Sequence, residues 1–187
     1  MAYTTIDDPT IYFNTVLYTG NETARSITGV GFQPDFVWIK DRSQSYNHHL
    51  FDSVRGATKR LKSDTTDAES TNAQTLTAFG SDGFSLGTDN ATNGNGSNVV
   101  SWNWKAGTAF SNSAGTNGAT LASTGSKNTT AGFSIVSYTG DESGTDSVFH
   151  GLSQTPEWII AKPRDVADNW ALFHGTFSNI QYLFLKQ

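Results

Sequence analysis

The chain has 187 residues and a net charge of −5, from 12 Lys and Arg against 17 Asp and Glu, which argues against a main partner as anionic as the backbone of DNA or RNA. Cysteine is absent, so neither disulfides nor thiolate metal sites stabilise the fold. No apolar run approaches the roughly 18 residues of a membrane span, and the start MAYTTIDDPT lacks the basic and apolar regions of a secretory signal. We therefore expect no nucleic-acid partner, no membrane insertion and no export by an N-terminal signal.

Residues 1–10 precede the first predicted strand and are largely polar, with Asp7-Asp8-Pro9 near their end. A short terminal segment outside the predicted core can contact a neighbouring protein without disturbing the fold. We interpret residues 1–10 as an N-terminal docking arm, with Asp7, Asp8 and Pro9 as its candidate contact residues.

Residues 11–107 contain a series of short strand patterns separated by glycine-rich turns. In residues 99–105, apolar Val100, Trp102 and Trp104 alternate with polar residues, which is typical of a strand with one buried face and places both tryptophans on the same face. The unbroken apolar run 36–39 favours a central strand covered on both faces. The predicted strands cover residues 13–19, 36–40, 47–51, 74–79, 83–86 and 98–105, with a hairpin turn at 80–83.

Helical periodicity is almost absent from this region, and only residues 66–73 leave a brief helix open as an alternative to a loop. Many short strands without helices to cover a sheet favour two antiparallel sheets packed face to face. The predicted fold is therefore all-β, an antiparallel β-sandwich of the jelly-roll or lectin-like kind.

Residues 108–130 consist largely of Gly, Ala, Ser, Thr and Asn. Such a composition buries little apolar surface on folding. We interpret this segment as a linker, with an extended strand that crosses a neighbouring element as the alternative.

Residues 131–187 repeat the first part of the module. FNTVLYTG at 13–20 has its counterpart in FSIVSYTG at 133–140, and after a two-residue insertion Lys40 and Arg42 correspond to Lys162 and Arg164. The spacing is far longer than the roughly 20 to 50 residues of a solenoid repeat, so it indicates tandem copies of one unit. The second copy is partial. We expect either that the chain is a piece of a longer protein, which we favour, or that a partner subunit supplies the missing strands.

Several stretches carry a family resemblance. ITGVGFQPDFVWIKDRS, DSVRGATKRL, LTAFGSDGFSLG and VSWNWKAG, with the start of the chain and the later AGFSIVSYTG, resemble a module of virion structural proteins from bacteriophages, especially those of marine bacteria. The resemblance spans essentially the whole chain, and some relatives are similar to concanavalin-A-like or laminin-G-like sandwiches. It implies a non-enzymatic role in the virion, as a tail-fibre or capsid-decoration component that acts through assembly and surface contact.

The resemblance also sets expectations about partners and location. We expect a protein that is assembled in the host cytoplasm, resides in the virion, contacts other virion proteins and forms a homo-oligomer, a trimer being common among fibre proteins. Two alternatives stay open, a carbohydrate-binding module for host-surface glycans and a polysaccharide depolymerase. The spacing of the acids selects no glycosidase pair, and no Gly-x-Ser-x-Gly motif occurs, so we expect no enzyme and no cofactor.

The most conspicuous polar cluster is the sequence Tyr46-Asn-His-His49. Adjacent positions on a strand point to opposite faces, so His48 and His49 cannot both bind one metal ion from a regular strand. The second copy has Trp170 and Ala171 at these two positions, so the fold does not require imidazole there. We expect no metal site, and Tyr46 and His48 stay candidate contacts for a glycan or a protein partner.

The aromatic residues give the other candidate contacts for a glycan. The ring faces of Trp38, Trp102 and Trp104 suit the apolar side of a sugar, although burial in a core explains strand tryptophans more simply. Tyr18 and Tyr46 lie near predicted turns and are better surface candidates.

We assign no binding site to the loop 87–98 or to the charged residues of the first copy. Loop 87–98 offers oxygen ligands for calcium but only one carboxylate, so turn formation explains it better. We interpret the acids Asp64, Asp67 and Glu69 as a solvated loop. The bases between Arg55 and Lys62 are interpreted as an exposed strand edge.

Overall fold

The computed structural model describes residues 6–177 and 183–185, and these are mainly antiparallel strands and turns. The all-β class predicted from the sequence is confirmed. Fifteen strands lie in the described part of the chain: β1 Phe13–Thr19, β2 Arg25–Thr28, β3 Phe36–Asp41, β4 His49–Asp52, β5 Lys59–Lys62, β6 Ser70–Thr71, β7 Leu76–Gly80, β8 Gly83–Leu86, β9 Asn98–Trp104, β10 Thr108–Asn112, β11 Ser123–Asn128, β12 Phe133–Tyr138, β13 Trp158–Ala161, β14 Ala171–His174 and β15 Leu183–Phe184.

The first copy of the repeat is a two-sheet sandwich. One sheet has six strands in the order β1-β9-β3-β4-β5-β6, and the other has three in the order β2-β8-β7. Residues of both sheets form one buried cluster, so the two sheets share a core and the predicted sandwich is confirmed. The cluster comprises Ile27, Val37, Ile39, Phe51, Leu76, Phe84, Leu86 and Val99.

Strand β9 presents its polar side chains to this core and its tryptophans to the opposite face. Ser101 and Asn103 are fully buried and stand opposite the core residues Ile39 and Val37 of β3. Trp102 and Trp104 share a face, as predicted, but it is the outer face of the six-stranded sheet. The sequence pattern correctly gave the alternation of β9 but did not show which face meets the second sheet.

Two segments of the first copy differ from the secondary structure that the sequence predicts. Residues 66–73 contain the short strand β6, so the helix considered there is wrong. A single turn of helix, α1 (Asn90–Asn93), instead follows Asp89, whose carboxylate accepts a hydrogen bond from the amide of Ala91 and caps the turn. No helix in the described part of the chain is long and apolar enough to cross a membrane.

The segment predicted as a linker is partly paired in a sheet. Within 108–130, β10 and β11 pair with each other, and β11 pairs with β12, the first strand of the second copy. These stretches are therefore ordered by backbone hydrogen bonds to neighbouring strands, which composition does not predict because strand pairing needs little apolar side-chain burial.

The second copy reproduces the strand pairing of the first. In the first copy Phe36 pairs with Asp52 and Ile39 with His49, and in the second Trp158 pairs with His174 and Ala161 with Ala171. Each residue lies 122 positions after its counterpart, so β13 and β14 have the register of β3 and β4. The repeat seen in the sequence is thus a repeat of strand pairing.

The loops of the two copies match as well. The Lys40 ammonium donates to the main-chain oxygens of Asp41 and Gln44, and that of Lys162 donates to those of Pro163 and Val166, at the same spacing. Glu22 and its counterpart Glu142 both have a positive φ, of 55° and 64°. A conformation that is rare outside glycine and recurs at equivalent positions supports a common origin of the two copies.

The described part of the predicted docking arm begins at residue 6, and residues 1–5 lie outside the described residues. Asp7, Asp8 and Pro9 are all exposed. Asp8 caps a 3-10 helix at Pro9–Ile11, because its carboxylate accepts hydrogen bonds from the amide and hydroxyl of Thr10. These bonds lower the pKa of Asp8.

Candidate functional site

The outer face of the six-stranded sheet is aromatic. Trp38 and Trp102 are cross-strand partners whose ring centroids lie 6.1 Å apart, edge to face. Trp104 contacts Phe36 at 5.3 Å and Phe13 at 4.8 Å between ring centroids. Edge-to-face pairs of this kind stabilise a sheet beyond the burial of their area.

The second copy of the repeat covers part of this aromatic face. The ring of Phe133 stacks on Trp104 at 6.3 Å with an interplanar angle of 24°. Trp170 is only 6% exposed, packs with Leu50 and Leu61, and donates from Nε1 to the main-chain oxygen of Lys62 at 2.8 Å. The tryptophans proposed from the sequence as glycan contacts therefore lie on or beside a contact between the two copies.

A partly buried ion-pair network also joins the copies. Glu69 accepts from Arg55 at 2.9 Å, and Arg164 of the second copy donates to the same carboxylate at 3.0 Å and 3.1 Å. Burial favours the protonated form of Glu69, but the hydrogen bonds from Arg164 and Arg55 outweigh it, so the pKa of Glu69 is lowered. The interpretation of Glu69 as part of a solvated loop is wrong, because its charge partner lies 95 residues further along the chain.

Tyr18 lies in the first copy rather than on an open surface. Its hydroxyl donates to the main-chain oxygen of Thr92 at 2.7 Å, and its ring contacts Phe84 of the core edge to face at 6.5 Å. Burial raises the pKa of Tyr18. This side chain has a structural partner at both its ring and its hydroxyl.

A polar cleft of about 560 Å³ opens between the end of β5 and the loops that follow β3, β6 and β8. The polar lining side chains are four amides, one hydroxyl, one carboxylate, two cations, one imidazole and one phenol. They belong to Tyr46, Asn47, His49, Arg60, Lys62, Asn72, Gln74, Thr88, Asp89 and Asn90, with Ala91.

His49 is the buried residue of this polar cleft. The residue is only 3% exposed, and its Nδ1 atom has no hydrogen-bond partner within the described residues. Burial, together with the charges of Arg60 and Lys62, lowers the pKa of His49 to about 4, while Asp89 acts in the opposite sense. The imidazole is therefore neutral near pH 7 and contains one buried nitrogen without a hydrogen-bond partner among the described residues.

Most other polar groups of the cleft are held in place by protein hydrogen bonds. The Asn72 amide donates to Asp89 at 2.9 Å, Asn47 donates to Asp64 at 3.2 Å, and Gln74 accepts from Thr88 at 3.0 Å. Tyr46 is exposed at the rim of the cleft. The arrangement offers fixed donors and acceptors beside one accessible aromatic ring, which is a chemistry suited to hydroxylated ligands.

His48 and His49 have different surroundings, as the alternation of a strand predicts. The Nδ1 atom of His48 accepts from Trp38 Nε1 at 2.8 Å on the aromatic face, whereas His49 lines the cleft. Within residues 6–177 and 183–185, no group of three or more His, Cys, Asp or Glu side chains is placed to hold a metal ion. The candidate contacts Tyr46 and His48 are thus two residues apart in sequence but lie on different surfaces.

The sheet of the second copy leaves apolar side chains in solvent. Trp158, Ile159 and Ile160 of β13 are 63%, 46% and 44% exposed, whereas Val37, the counterpart of Ile159 in β3, is fully buried in the core. Strand β13 is one of the two terminal strands of the sheet β13-β14-β15 among the described residues. We refer to Trp158, Ile159 and Ile160 as the open strand.

Sequence reasoning missed His49, Arg60 and Trp170 as site residues. Trp170 could have been identified from the repeat, because a large aromatic residue stands at the position equivalent to His48 of the first copy. His49 and Arg60 join the cleft only through the pairing of β4 with β5, which no local pattern specifies.

The fold and surfaces define a tandem all-β module with an inter-copy contact, a polar cleft and an open strand. Residues 8–187 match the model of the family described as Domain of unknown function (DUF7483), and the chain belongs to this family. Neither the curated proteins nor the solved structures include a match to this chain.

Proposed function

We propose that this chain is a non-enzymatic structural component of a bacteriophage virion, in a tail fibre or a capsid decoration, and that it works through assembly and surface contact. The resemblance of its motifs to virion modules supports this role. The proposal includes location in the virion, other virion proteins as partners, and a homo-oligomer such as a trimer.

The single observation that carries the assembly role is the open strand. Three consecutive large apolar residues in a paired strand are 44% to 63% exposed. Because adjacent residues of a strand point to opposite faces, both faces of β13 carry exposed apolar side chains, and exposed apolar surface of this kind is typical of surfaces that bind another protein. An assembly component gains stability when such a strand is covered by its neighbour.

Fractionation of particles tests the role. Particles of a phage that encodes this sequence are banded on a density gradient, and the chain is quantified by mass spectrometry against the major capsid protein. We expect a fixed ratio of the two proteins across the band and through a second gradient. Recovery of the chain only from the soluble lysate would contradict the proposal.

A deletion tests the proposed docking arm within the same experiment. Removing residues 1–10 is expected to abolish incorporation while the purified variant keeps the far-UV circular dichroism of the full chain, because the strands begin at Phe13. The matched control Asp8→Asn keeps the arm but weakens its cap on the 3-10 helix. An unchanged particle content of the deletion variant would reject the arm as the docking element.

The polar cleft favours a second candidate function, the recognition of a host-surface glycan. Exposed Tyr46 stands at the rim, and amides, one hydroxyl and charged side chains line the cleft, so a sugar ring can stack on the phenol while its hydroxyls bond to these groups. Fixed amides supply further hydrogen bonds. This combination requires no bond cleavage and is separate from the assembly role.

Glycan arrays test this second candidate. The wild-type chain is expected to retain a defined set of saccharides, and Tyr46→Ala is expected to lose them. Tyr138→Ala removes another exposed tyrosine, which does not line the cleft, and serves as the matched control. Retention of no saccharide, or equal losses in the two variants, would reject the cleft as a glycan site. Release of reducing ends from a bound polysaccharide would indicate the depolymerase alternative instead.

A further inference from the structure

We infer that the polar cleft binds an acidic saccharide, a sugar chain whose bound unit carries one carboxylate, and that the guanidinium of Arg60 binds this carboxylate. The inference deepens the second candidate function and rests on it, because it gives the chemical class of the glycan. It is supported by the face on which the cations of the cleft lie, by the hydrogen bonds of Arg60 and by the positions of the neighbouring acids.

Strand β5 places two cations on the cleft side of its sheet. Side chains alternate between the faces of a strand, so Arg60 and Lys62 share one face and Leu61 lies on the other. Lys62 stands opposite His49 of β4, and the side chains of Arg60, Lys62 and His49 all line the cleft. The wall that β5 contributes to the cleft is therefore positively charged.

The charge of Lys62 already has a partner. Its ammonium bonds to the carboxylate of Asp67 at 2.8 Å, and Asp67 itself does not line the cleft. A ligand anion at Lys62 would have to compete with this carboxylate. Lys62 is therefore not the main anchor for a negatively charged group.

Arg60 is half-buried and has no carboxylate partner among the described residues. Its Nε donates to the hydroxyl of Ser70 at 3.2 Å, and its two terminal nitrogens donate to no group in the same part of the chain. Arg55 differs, because its guanidinium pairs with both Asp52 and Glu69. A partly desolvated guanidinium with unused donors is a strong binding partner for an anion.

The charge of Arg60 acts inside the cleft. Burial lowers the pKa of His49, and among the charged groups around that imidazole Arg60 lowers it most. Lys62 acts in the same sense, whereas Asp89 and Asp64 act in the opposite sense. Because charges interact most strongly at short distances, this effect shows that the guanidinium lies close to the buried imidazole.

The acids near the cleft are bonded to other groups. Asp89 is the one acid among the described lining residues, and it accepts from the side chain of Asn72 at 2.9 Å while it caps the helix α1. Asp64 accepts from the main-chain amide of His48 at 3.1 Å. Both carboxylates are thus held by their own loops, and neither forms an ion pair with Arg60.

One available cation sets the charge of the ligand. The parallel N–H groups of a guanidinium match the two oxygens of a carboxylate, which carries a single charge. A phosphate monoester carries about two charges near pH 7, and the second would lie uncompensated near Asp89. Exposed Tyr46 offers a ring face to the sugar that bears the carboxylate. A uronic acid combines the charge and the ring that these groups bind.

Paired oligosaccharides test the preference for a carboxylate on the full chain. The probes are short oligosaccharides of galacturonic, guluronic and mannuronic acid, each compared with its methyl ester, which keeps the shape and removes the charge. We expect at least one acid to bind in titration calorimetry, and to bind at least about tenfold more tightly than its ester. Equal binding of acid and ester, or binding of no acid, overturns the inference.

A substitution locates the carboxylate. Arg60→Gln is expected to weaken binding of the acid at least about tenfold and to leave binding of the ester unchanged. Lys59→Gln is the matched control, because it removes the same charge from the other face of β5, where Lys59 bonds to Thr71 outside the cleft. Both variants are checked by circular dichroism and melting, and Arg60→Met replaces Arg60→Gln if the latter does not fold. Equal losses in the Arg60 and Lys59 variants overturn the inference.

A spectroscopic measurement checks that the carboxylate meets Arg60. The Nε–H signal of Arg60, assigned by its loss in Arg60→Gln, should shift as the acid is added and stay in place as the ester is added. The signal of Arg55 should not move, because Asp52 and Glu69 already bind that guanidinium. No shift at Arg60, or a larger shift at Arg55, overturns the assignment of the carboxylate to Arg60.

Failure of this inference is distinguishable from failure of the glycan function. Equal binding of acids and esters that is lost in Tyr46→Ala would leave glycan recognition in place and overturn only the acidic ligand. Binding of a sulfated oligosaccharide where no uronate binds would overturn the carboxylate in favour of a sulfate ester. Retention of no saccharide of any kind, neutral or acidic, would overturn both proposals.

Discussion

The indole Nε1 of Trp170 donates to the main-chain oxygen of Lys62 at 2.8 Å, a hydrogen bond that spans 108 positions of sequence. The ring of the same residue packs with Leu50 and Leu61 on the outer face of the first copy. One side chain thus supplies both apolar burial and a directional bond to the contact between the two copies. At the equivalent position of the first copy, His48 instead accepts from Trp38 within its own sheet.

We expect Trp170→Ala to lower the free energy of unfolding by about 3–5 kcal/mol, because it removes a large buried ring and leaves the Lys62 carbonyl without its donor. Urea denaturation followed by far-UV circular dichroism measures the change. Trp158→Ala is the matched control, since Trp158 lies in the same copy but is 63% exposed, and its expected effect is within about 0.5 kcal/mol. Equal effects of the two substitutions would contradict the contact described here.

The ion-pair network around Glu69 predicts a dependence of stability on pH. The folded-state pKa of Glu69 is lowered, so its contribution is present above its ordinary value near 4.5 and is lost as the pH falls through the folded pKa. Glu69→Gln should lower the free energy of unfolding at pH 7 by about 1–3 kcal/mol, since Arg55 keeps its second partner Asp52. The difference from wild type should shrink at pH 3.

Asp67→Asn provides the control for Glu69→Gln. Asp67 pairs with Lys62 at 2.8 Å, but its side chain is 56% exposed, so solvent screens the pair. We expect a change below about 1 kcal/mol in the same denaturation experiment. A larger loss for Asp67→Asn than for Glu69→Gln would show that the inter-copy network does not stabilise the fold.

His49 predicts a second pH effect, in a different window. Its folded pKa is about 4 and lies below the ordinary value of 6.5, so the unfolded chain takes up the proton first as the pH falls. The free energy of unfolding should therefore decline between about pH 6.5 and pH 4 and show no further decline from this group below that. The full effect is roughly 3 kcal/mol, from the 1.4 kcal/mol of each pKa unit.

Two measurements check the His49 effect. In His49→Gln the decline between pH 6.5 and pH 4 should be smaller than in wild type, so the difference between the two denaturation curves isolates this residue. An imidazole NMR signal that disappears in the variant should titrate near pH 4 in wild type. A midpoint near 6.5 for that signal would show that His49 is open to solvent.

The sequence predicted strands that a local residue pattern marks. It did not predict strands whose order depends on hydrogen bonds to a distant strand. Strands β1 and β8 have the predicted bounds, and a glycine directly follows each of them, at positions 20 and 87. Strands β10 and β11 were interpreted as a linker, since their order comes from hydrogen bonds to β12 rather than from apolar side chains. Amino-acid composition predicts how much apolar side-chain surface a segment can bury, but it does not predict whether the backbone of that segment pairs with a strand.

The residues of the candidate site were likewise predictable only where a local pattern marks them. Tyr46 was identified because a tyrosine near a turn is commonly exposed, and it is exposed at the rim of the cleft. Glu69 and Arg164 meet only because the second copy lies on the first, and neither residue has a distinctive neighbourhood in sequence. The internal repeat predicted equivalent strands, but it did not predict that one copy would cover the aromatic face of the other.

The hairpin between β7 and β8 gives a further prediction, which concerns the close approach of two strands. Gly83 has a φ of 145°, and a side chain there would meet the carbonyl oxygen of Ile27 in the adjacent strand β2. We expect Gly83→Ala to lower the free energy of unfolding by roughly 2–4 kcal/mol, because both the backbone conformation and the spacing of the strands must change. Gly80→Ala is the control at the other end of the same turn, where a side chain would contact only Gly83 at 3.6 Å, an ordinary distance. Its expected change is below about 1 kcal/mol by the same urea denaturation. Similar losses for both alanine variants would mean that turn formation, rather than the contact with β2, requires glycine at position 83.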